Sequence, residues 1–304
     1  MDGGPGRGRS AAPASRLSPK QLHVTELFCG IGGLAAALPP GAEVLAVDQS
    51  ELARQSYAHN FGHAPKAWNI AGLKSLPPSD LLWLSPPCQP YTQRGAQRDL
   101  ADKRSAALLR VCALLPLAQP RFVGLENVPQ FQGSDGHAHF LKALDGYQIW
   151  QGVLCPSQLG IPNKRRRFYV LASRRGQVAE PVFAPEDLSL DQYLDPHPDP
   201  ILFLSDSDTA RLLGVLPIIS LAQSTETFTS GYGRSLLKAG SLLRTVDGRV
   251  RRFSPQEILR LHGFPDGFEL TPGLDRVKQY KLVGNSLSVP VVRVLLNALG
   301  LDTQ

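Results

Sequence analysis

Short apolar runs alternate with segments of helical periodicity along most of the chain. The runs that predict strands are 23–28, 42–47, 81–84, 121–125 and 167–172. The segments with helical spacing are 34–38, 50–60, 104–117 and 137–144. Strands and helices that alternate in this order are typical of βαβ units, in which helices cover both faces of a parallel sheet. The pattern therefore predicts an α/β fold with a doubly wound, mostly parallel sheet.

The character of the sequence changes after residue 173. Residues 174–223 are rich in proline and acidic side chains, which indicates a small separate module. Beyond it, 253–262 begins with a capping serine and a proline, as helices often do, and 282–299 returns to a βα pattern. We predict a tail at 1–20, a first part of the main domain at 21–173, a small module at 174–243, and a C-terminal part of the main domain at 244–304.

The chain carries an excess of positive charge. Its 304 residues include 32 Lys and Arg against 26 Asp and Glu, a net charge of +6, which favours an anionic partner such as nucleic acid. The tail at 1–20 holds four of the cations and one acid in a segment rich in Gly, Ala, Ser and Pro, so we predict that it is disordered. A polyanion tether, a solvated extension and an organelle-targeting sequence are all open interpretations of this tail.

The cysteines and the apolar runs limit the class of protein. The four cysteines, Cys29, Cys88, Cys112 and Cys155, have neither zinc-site spacing nor the pattern of a disulfide framework, so we expect no metal and a reducing compartment, the cytoplasm or the nucleus. No apolar run approaches the length of a membrane span, and the N-terminus lacks the apolar core of a secretory signal. We therefore expect no membrane partner.

A glycine-rich turn follows the first predicted strand. Gly30, Gly32 and Gly33 allow close approach of a ligand, and Asp48 at the end of the second strand is placed to accept from ribose hydroxyls. The spacing is G-x-G-G and not G-x-G-x-x-G, so a cofactor without phosphates, S-adenosylmethionine (SAM), fits better than a dinucleotide. A purely structural glycine turn is the alternative interpretation.

Two reactive side chains are predicted at the ends of neighbouring strands. Cys88 lies between prolines directly after the apolar run 81–84, where a stiff backbone can hold a thiol, although a free cysteine is often just a buried apolar residue. Glu126 directly follows the run 121–125, although it could also be a helix cap or a surface acid. Ligand sites of parallel sheets lie at these strand ends, so the two residues are predicted to face one pocket.

A run of four cations occupies 164–167. Alternation along a strand would turn Arg165 and Arg167 to one face, and Lys164 and Arg166 to the other. One face can serve a site while the other meets phosphate. A solvated basic edge is the alternative.

Methylation of cytosine at C5 would use all of these parts. The C5 atom is a weak nucleophile until a thiolate adds to C6 and a carboxyl group protonates or hydrogen-bonds N3. Cys88 and Glu126 are the right residue types for these two roles. Because the base must leave its stack to expose the ring, a pocket lined by arginine side chains is also expected.

The order of these motifs resembles that of the cytosine-5 methyltransferase family from Glu26 to Val292. The matching segments are 28–34, the cofactor loop; 86–89, the nucleophile motif; 126–128, the acid motif; 163–167, similar to Q-x-R-x-R; and 279–286, the closing motif. The resemblance implies a SAM-dependent catalytic domain with a Rossmann-like fold and a target-recognition module at 174–243. It implies catalytic roles for Cys88 and Glu126, with Arg165 and Arg167 holding the flipped base and its backbone.

The resemblance also implies the ligand contacts. SAM, whose product is S-adenosylhomocysteine, would contact Phe28, Gly30, Ile31, Gly32, Asp48, Gln49, Asn69, Ile70, Pro87, Asn285 and Ser286. Many family members have an acid at the position of Asn69. The substrate would contact Gln89, Asn127, Lys164, Arg166, Thr227 and Tyr232.

The form of three segments is similar to one branch of the family. Residues 87–92, 159–163 and 227–233 resemble the branch that methylates tRNA-aspartate at cytosine 38 of the anticodon loop, with Thr227 in place of that branch's cysteine. A short recognition module also suits RNA loops, whose bases are already partly splayed. We expect a monomer that acts on tRNA. A DNA cytosine-5 methyltransferase, a catalytically silent nucleic-acid-binding relative and an oxidoreductase that uses a dinucleotide are the alternatives.

Overall fold

The computed structural model describes residues 22–91, 99–234 and 239–301, and all structural statements concern these ranges. The strands are β1 (His23–Leu27), β2 (Glu43–Val47), β3 (Leu81–Leu84), β4 (Phe122–Asn127), β5 (Gln148–Leu154), β6 (Asn163–Lys164), β7 (Arg167–Ser173), β8 (Ile218–Ile219), β9 (Thr225–Glu226), β10 (Leu242–Arg244) and β11 (Val250–Arg252). The helices are α1 (Glu51–Phe61), α2 (Ala106–Ala118), α3 (Asp135–Ala143), α4 (Asp206–Leu212), α5 (Pro255–Leu261), α6 (Arg276–Gly284) and α7 (Val289–Ala298). The tail predicted at 1–20 lies outside the described residues.

The central sheet confirms the predicted fold class. Its strand order is β2-β1-β3-β4-β7-β5, with β1 to β4 parallel and β7 antiparallel to both of its neighbours. Leu27 pairs with both Val47 and Leu84, and Leu84 pairs with Leu125, so the carboxyl ends of four strands meet at one edge. Loops that follow these strands are thereby brought together.

Apolar side chains cover the sheet on both faces. On one face Val24 and Trp83 join a cluster that includes Leu295 of α7, and on the other Leu27 and Leu84 join a cluster that includes Val111 of α2. Adjacent strand residues point to opposite faces, which is why one strand feeds both clusters. Burial of both faces accounts for the nearly continuous apolar runs in the sequence.

Two small sheets lie beyond the central one. One has the order β11-β10-β8, and the other pairs β6 with β9 in parallel. The boundary predicted at residue 243 passes through β10. Within the described ranges no helix is long and apolar enough to cross a membrane.

The structure differs from the predicted elements in three places. Residues 34–38 form turns and not a helix, because the segment is short and two prolines follow it directly. The edge strand β5 was not predicted, because several of its residues are exposed and Gly152 interrupts the apolar pattern. The βα pattern expected at 282–299 is the end of α6, a turn and α7, where packing of valines in the core outweighs their preference for strands.

Candidate active site

A cavity of about 630 Å³ lies at the edge where the parallel strands end. All four residues predicted to be catalytic line it: Cys88, Glu126, Arg165 and Arg167. Most of the predicted cofactor contacts line it as well: Phe28, Gly30, Ile31, Asp48, Gln49, Asn69, Ile70, Pro87, Asn285 and Ser286. The strand-end rule for parallel sheets explains why residues so far apart in sequence meet here.

Asp48 organises one wall of the cavity. Its Oδ2 accepts a hydrogen bond from the backbone N–H of Gly30 at 2.9 Å, and its Oδ1 accepts from the N–H of Ser50 at 2.7 Å. Gly30 has a φ of +55°, and Phe28 has a φ of +60°, so the chain turns sharply after β1. The carboxylate therefore fixes the turn and still presents oxygen lone pairs to a ligand.

A second wall comes from the other end of the chain. The turn between α6 and α7 contributes Asn285, Ser286 and Leu287 to the cavity. A Cβ atom on Gly33 would lie 2.7 Å from Cβ of Leu287, so only glycine lets the two turns pack this closely. This contact places the C-terminal part of the domain against the first strand.

The residues present fit SAM better than a dinucleotide. The glycine turn leads into the turns at 34–38, and no helix N-terminus is available there to hold a pyrophosphate. A carboxylate at Asp48 can accept from ribose hydroxyls, and the amides of Gln49, Asn69 and Asn285 supply further polar groups. The volume lies within the range of small-molecule sites.

Glu26 lies behind the glycine turn and was not singled out from the sequence. Its side chain is buried in β1, and its Oε2 has no hydrogen-bond partner among the described residues. Burial raises the pKa of this carboxyl well above its ordinary value, and the nearby Asp48 carboxylate acts in the same direction, against a hydrogen bond from the Leu34 backbone. The Glu26 carboxyl therefore favours its neutral form, close to the wall that Asp48 organises.

Cys88 is held in the loop that follows β3. Its carbonyl accepts from the N–H of Tyr91 at 3.0 Å, and Asn127 Nδ2 donates to the carbonyl of Pro86 at 3.3 Å, which ties the loop to β4. Asn127, which is predicted to bind substrate, thus uses its side-chain amide to hold the loop that contains Cys88. Burial raises the pKa of the Cys88 thiol, while the Arg167 guanidinium lowers it in part. The thiol is the favoured form until a ligand changes this environment.

Glu126 and Arg167 form an ion pair in the cavity. The Nε of Arg167 is 3.2 Å from Oε1 of Glu126, and their side chains are only 15% and 11% exposed. Burial raises the pKa of Glu126, and the two guanidinium groups of Arg167 and Arg165 oppose that rise. A carboxyl group whose proton affinity is raised in this way can protonate or hydrogen-bond a ring nitrogen.

Arg165 joins three distant segments. Its Nη1 donates to the carbonyl of Phe228 at 3.0 Å, and its Nη2 donates to the carbonyls of Gly284 at 3.1 Å and Ser286 at 2.5 Å. The predicted alternation is confirmed, since Arg165 and Arg167 turn inward while Lys164 and Arg166 are exposed. Arg165 lines the cavity, but its guanidinium group is bonded to the backbone of the wall that contains Gly284 and Ser286.

Five predicted contact residues do not line the cavity: Gly32, Lys164, Arg166, Thr227 and Tyr232. Gly32 packs against Phe61, whose ring would be 2.3 Å from an added Cβ. Tyr232 is 1% exposed, and its hydroxyl donates to the carbonyl of Ser241 at 2.7 Å and accepts from the N–H of Phe253 at 3.0 Å. The substrate contact predicted for Tyr232 is wrong, because this side chain belongs to the core.

The hydroxyl of Thr227, directly after β9, joins this strand to the basic segment 164–167. It donates to the carbonyl of Lys164 at 2.6 Å, and the Lys164 Nζ lies 3.1 Å from the Glu226 carboxylate. These contacts extend the pairing of β6 with β9. Lys164 and Arg166 are exposed and Thr227 is half-buried, whereas Arg165 and Arg167 of the same segment line the cavity.

Four cations at the cavity were not predicted: Lys103, Arg104, Lys278 and Lys281. Arg104 pairs with the Asp102 carboxylate at 2.5 Å, and Lys278 pairs with Asp275 at 2.8 Å. Lys278 and Lys281 lie one helical turn apart in α6, on the same face. The spacing of three residues between Lys278 and Lys281, shortly before Asn285 and Ser286, is the sequence signal that could have identified these two lysines.

Comparison with known proteins agrees with this geometry. The family model of the C-5 cytosine-specific DNA methylase matches residues 22–210 and 207–300. The tRNA (cytosine(38)-C(5))-methyltransferase of Schizosaccharomyces pombe is 32% identical over 93% of this chain and 98% of its own. The type II methyltransferase M.NgoBI of Neisseria gonorrhoeae is 31% identical over 88% of this chain and 89% of its own. The solved structure of the Entamoeba histolytica methyltransferase EhMeth is 26% identical and superposes with a TM-score of 0.86 over 92% of this chain and 98% of that chain.

The family match covers almost all of the described chain, and the predicted nucleophile, acid and cofactor walls meet in one cavity. The chain belongs to the C-5 cytosine-specific DNA methylase family, the SAM-dependent cytosine-5 methyltransferases.

Proposed function

We propose that this cytosine-5 methyltransferase acts on tRNA, at cytosine 38 of the anticodon loop of tRNA-aspartate. The observation that carries the reaction is the meeting of Cys88, Glu126 and the Asp48 wall in one cavity. The tRNA assignment rests on relatives such as the Schizosaccharomyces pombe enzyme, which is named for that nucleotide and matches along nearly the whole chain.

The residues of the cavity divide the work. The Cys88 sulfur adds as a thiolate to C6 of the cytosine, while the Glu126 carboxyl donates to N3, which makes C5 nucleophilic. SAM, when bound, supplies the electrophilic methyl group. Solvent water then takes the C5 proton, the Cys88 thiolate leaves C6, and the N3 proton returns to Glu126, which restores the aromatic ring. Arg167 lies against Glu126 and orients it throughout.

The surface around the cavity suits a single-stranded phosphate backbone. Lys103 precedes α2, whereas Lys278 and Lys281 belong to α6, so cations reach the cavity from two elements. Cations that reach the cavity from two elements can neutralise the phosphates on both sides of a flipped nucleotide. An anticodon loop presents bases that are already unpaired, which lowers the cost of extrusion.

Duplex DNA is the second candidate substrate. It is favoured by the name of the matching family and by the similarity to M.NgoBI, a type II methyltransferase. The recognition module predicted at 174–243 is small, and its described part contains the short strands β8 and β9, the start of β10 and the helix α4. DNA readout in the major groove needs a helix or ribbon that reaches base edges.

We also propose that the enzyme is a monomer of the cytoplasm or the nucleus. The cavity is complete within one chain, since both of its walls and its nucleophile come from the same molecule. The four cysteines are free, which suits a reducing compartment.

The decisive experiment measures transfer of tritiated methyl groups from SAM. Purified enzyme is offered an unmodified tRNA-aspartate transcript, the same transcript with cytosine 38 changed to uridine, and a mixture of cytosine-containing DNA duplexes. We expect label in the first substrate alone. Strong labelling of duplex DNA with no labelling of tRNA would replace the proposal with the DNA candidate. Equal labelling of both transcripts would contradict the assignment to cytosine 38.

A further inference from the structure

His262 lies directly behind the C-terminal wall of the cavity, where α5 ends. Its side chain is fully buried, and its Nδ1 is 3.0 Å from Oγ of Ser286. The single hydroxyl hydrogen of Ser286 is directed to the carbonyl of Val283 at 2.8 Å. The imidazole must therefore be the donor in its bond to Ser286, which places the proton on Nδ1.

A backbone bond connects His262 to the same turn. The N–H of Val289, the first residue of α7, donates to the carbonyl of His262 at 2.8 Å. The turn at 285–288 is thus bonded to His262 at two points, Ser286 within the turn and Val289 directly after it. Arg165 Nη2 also donates to the carbonyl of Ser286. Ser286, which lines the cavity, is thus bonded to two buried side chains.

The surroundings of His262 keep its ring neutral. The charged groups that act on the ring are the guanidinium groups of Arg165 and Arg167. Burial, followed by these two cations, lowers the pKa of His262 well below its ordinary value. The ring is therefore neutral, and its one proton lies on Nδ1, where the contact with Ser286 needs a donor.

We propose that His262 is a positioning residue for the cofactor, which holds the 285–288 turn so that Asn285 and Ser286 face bound SAM. It acts through Ser286 and does not line the cavity itself. The proposal rests on the use of SAM by this family and is independent of the nucleic acid that is methylated. Its action is on the affinity for SAM and not on the chemical step at Cys88.

The test compares three variants of the full chain by calorimetric titration with SAM. His262→Leu removes the donor, and we expect the Kd for SAM to rise about tenfold, the effect of losing one buried hydrogen bond and leaving its partner unsatisfied. His262→Asn places an amide N–H near the position of Nδ1 and should keep the Kd within about threefold of the wild type. In both variants kcat at saturating SAM should change much less than the KM for SAM.

His137→Leu is the matched control. His137 is another buried histidine, bonded to Gln151 at 2.9 Å, and it does not line the cavity. We expect this variant to bind SAM as the wild type does. An equal loss of affinity in the His137 and His262 variants would overturn the proposal, because it would indicate general destabilisation.

Two other results would also overturn it: unchanged SAM binding in His262→Leu, or a loss in His262→Asn as large as in His262→Leu. If the leucine variant does not fold, His262→Asn is compared with His262→Gln, whose amide extends toward the Nε2 position. Tighter SAM binding by the asparagine variant is then required. Because titration with SAM needs no nucleic acid, an enzyme that binds SAM but leaves tRNA unmethylated would fail the proposed function without affecting this test.

Discussion

The Nε atom of Arg167 lies 3.2 Å from Oε1 of Glu126, within the cavity that also contains the Cys88 thiol. One guanidinium group therefore acts on two reactive side chains. It lowers the pKa of both, and burial raises the pKa of both. The balance allows the cavity to hold a carboxyl group that can donate a proton next to a thiol that can lose one.

Replacement of Glu126 by glutamine should slow methyl transfer without loss of cofactor. The amide keeps the size of the side chain but cannot transfer a proton to N3, so we expect kcat to fall by about 10²–10⁴. The Kd for SAM should stay within about twofold, since Glu126 faces the base. Steady-state kinetics and titration with SAM measure the two effects. Glu51→Gln, on the surface of α1, is the matched control. A kcat unaffected by Glu126→Gln would contradict the role given to this acid.

Replacement of Cys88 by alanine should abolish turnover. The thiol is the only group in the proposed reaction that forms a covalent bond with the base, and cofactor binding does not depend on it. RNA with 5-fluorocytosine at the target position should form a stable adduct with the wild type and none with the variant, as seen in denaturing gels. The control is Cys155→Ala, because Cys155 is also free but does not line the cavity. An adduct that survives in the Cys88 variant would place the nucleophile elsewhere.

Replacement of Asp48 by asparagine should weaken SAM binding. The two carboxylate oxygens accept from the N–H groups of Gly30 and Ser50, and an amide can replace only one of these acceptors. We expect the Kd for SAM to rise about tenfold or more, with a smaller effect on kcat at saturating SAM. Asp145→Asn changes an exposed carboxylate away from the cavity and should bind normally. Equal affinities for the two variants would remove Asp48 from the cofactor site.

Replacement of Glu26 by glutamine should stabilise the protein increasingly as the pH rises. The folded state raises the pKa of Glu26 well above 4.5, so native protein keeps a proton that the unfolded chain releases. The stability of the wild type that depends on this group is complete below the unfolded pKa and is lost at higher pH, by up to about 1.4 kcal/mol per pH unit. Urea unfolding of both proteins at about pH 5 and about pH 8 gives the comparison. A difference between the two proteins that does not change with pH would show that Glu26 is ionised in the folded state.

The sequence was informative where function follows a buried strand. Cys88 and Glu126 could be identified because each comes at the end of an apolar run, and parallel strands bring such ends together. Glu26 lacks that signal, since an acid inside an apolar strand differs from an exposed acid only through its burial in the folded protein. Its proton affinity is a tertiary property.

The roles of Arg165 and Tyr232 could not be predicted for a related reason. Arg165 bonds to carbonyls 63 and 121 residues away in the chain, at Phe228 and Ser286. Alternation along the strand predicts which way the Arg165 side chain points, but it does not predict its hydrogen-bond partners. Tyr232 occurs in a segment that resembles a substrate contact, yet Phe228 and Tyr280 pack against its ring in the core.

The two walls of the cavity come from opposite ends of the chain, since Gly33 packs against Leu287. During synthesis on the ribosome, the segment with Cys88 and Glu126 emerges long before the turn at 285–288. A chain released before the turn at 285–288 has been made thus contains its nucleophile but only one wall of the methyl-donor site. We expect such a product to be unable to transfer methyl groups.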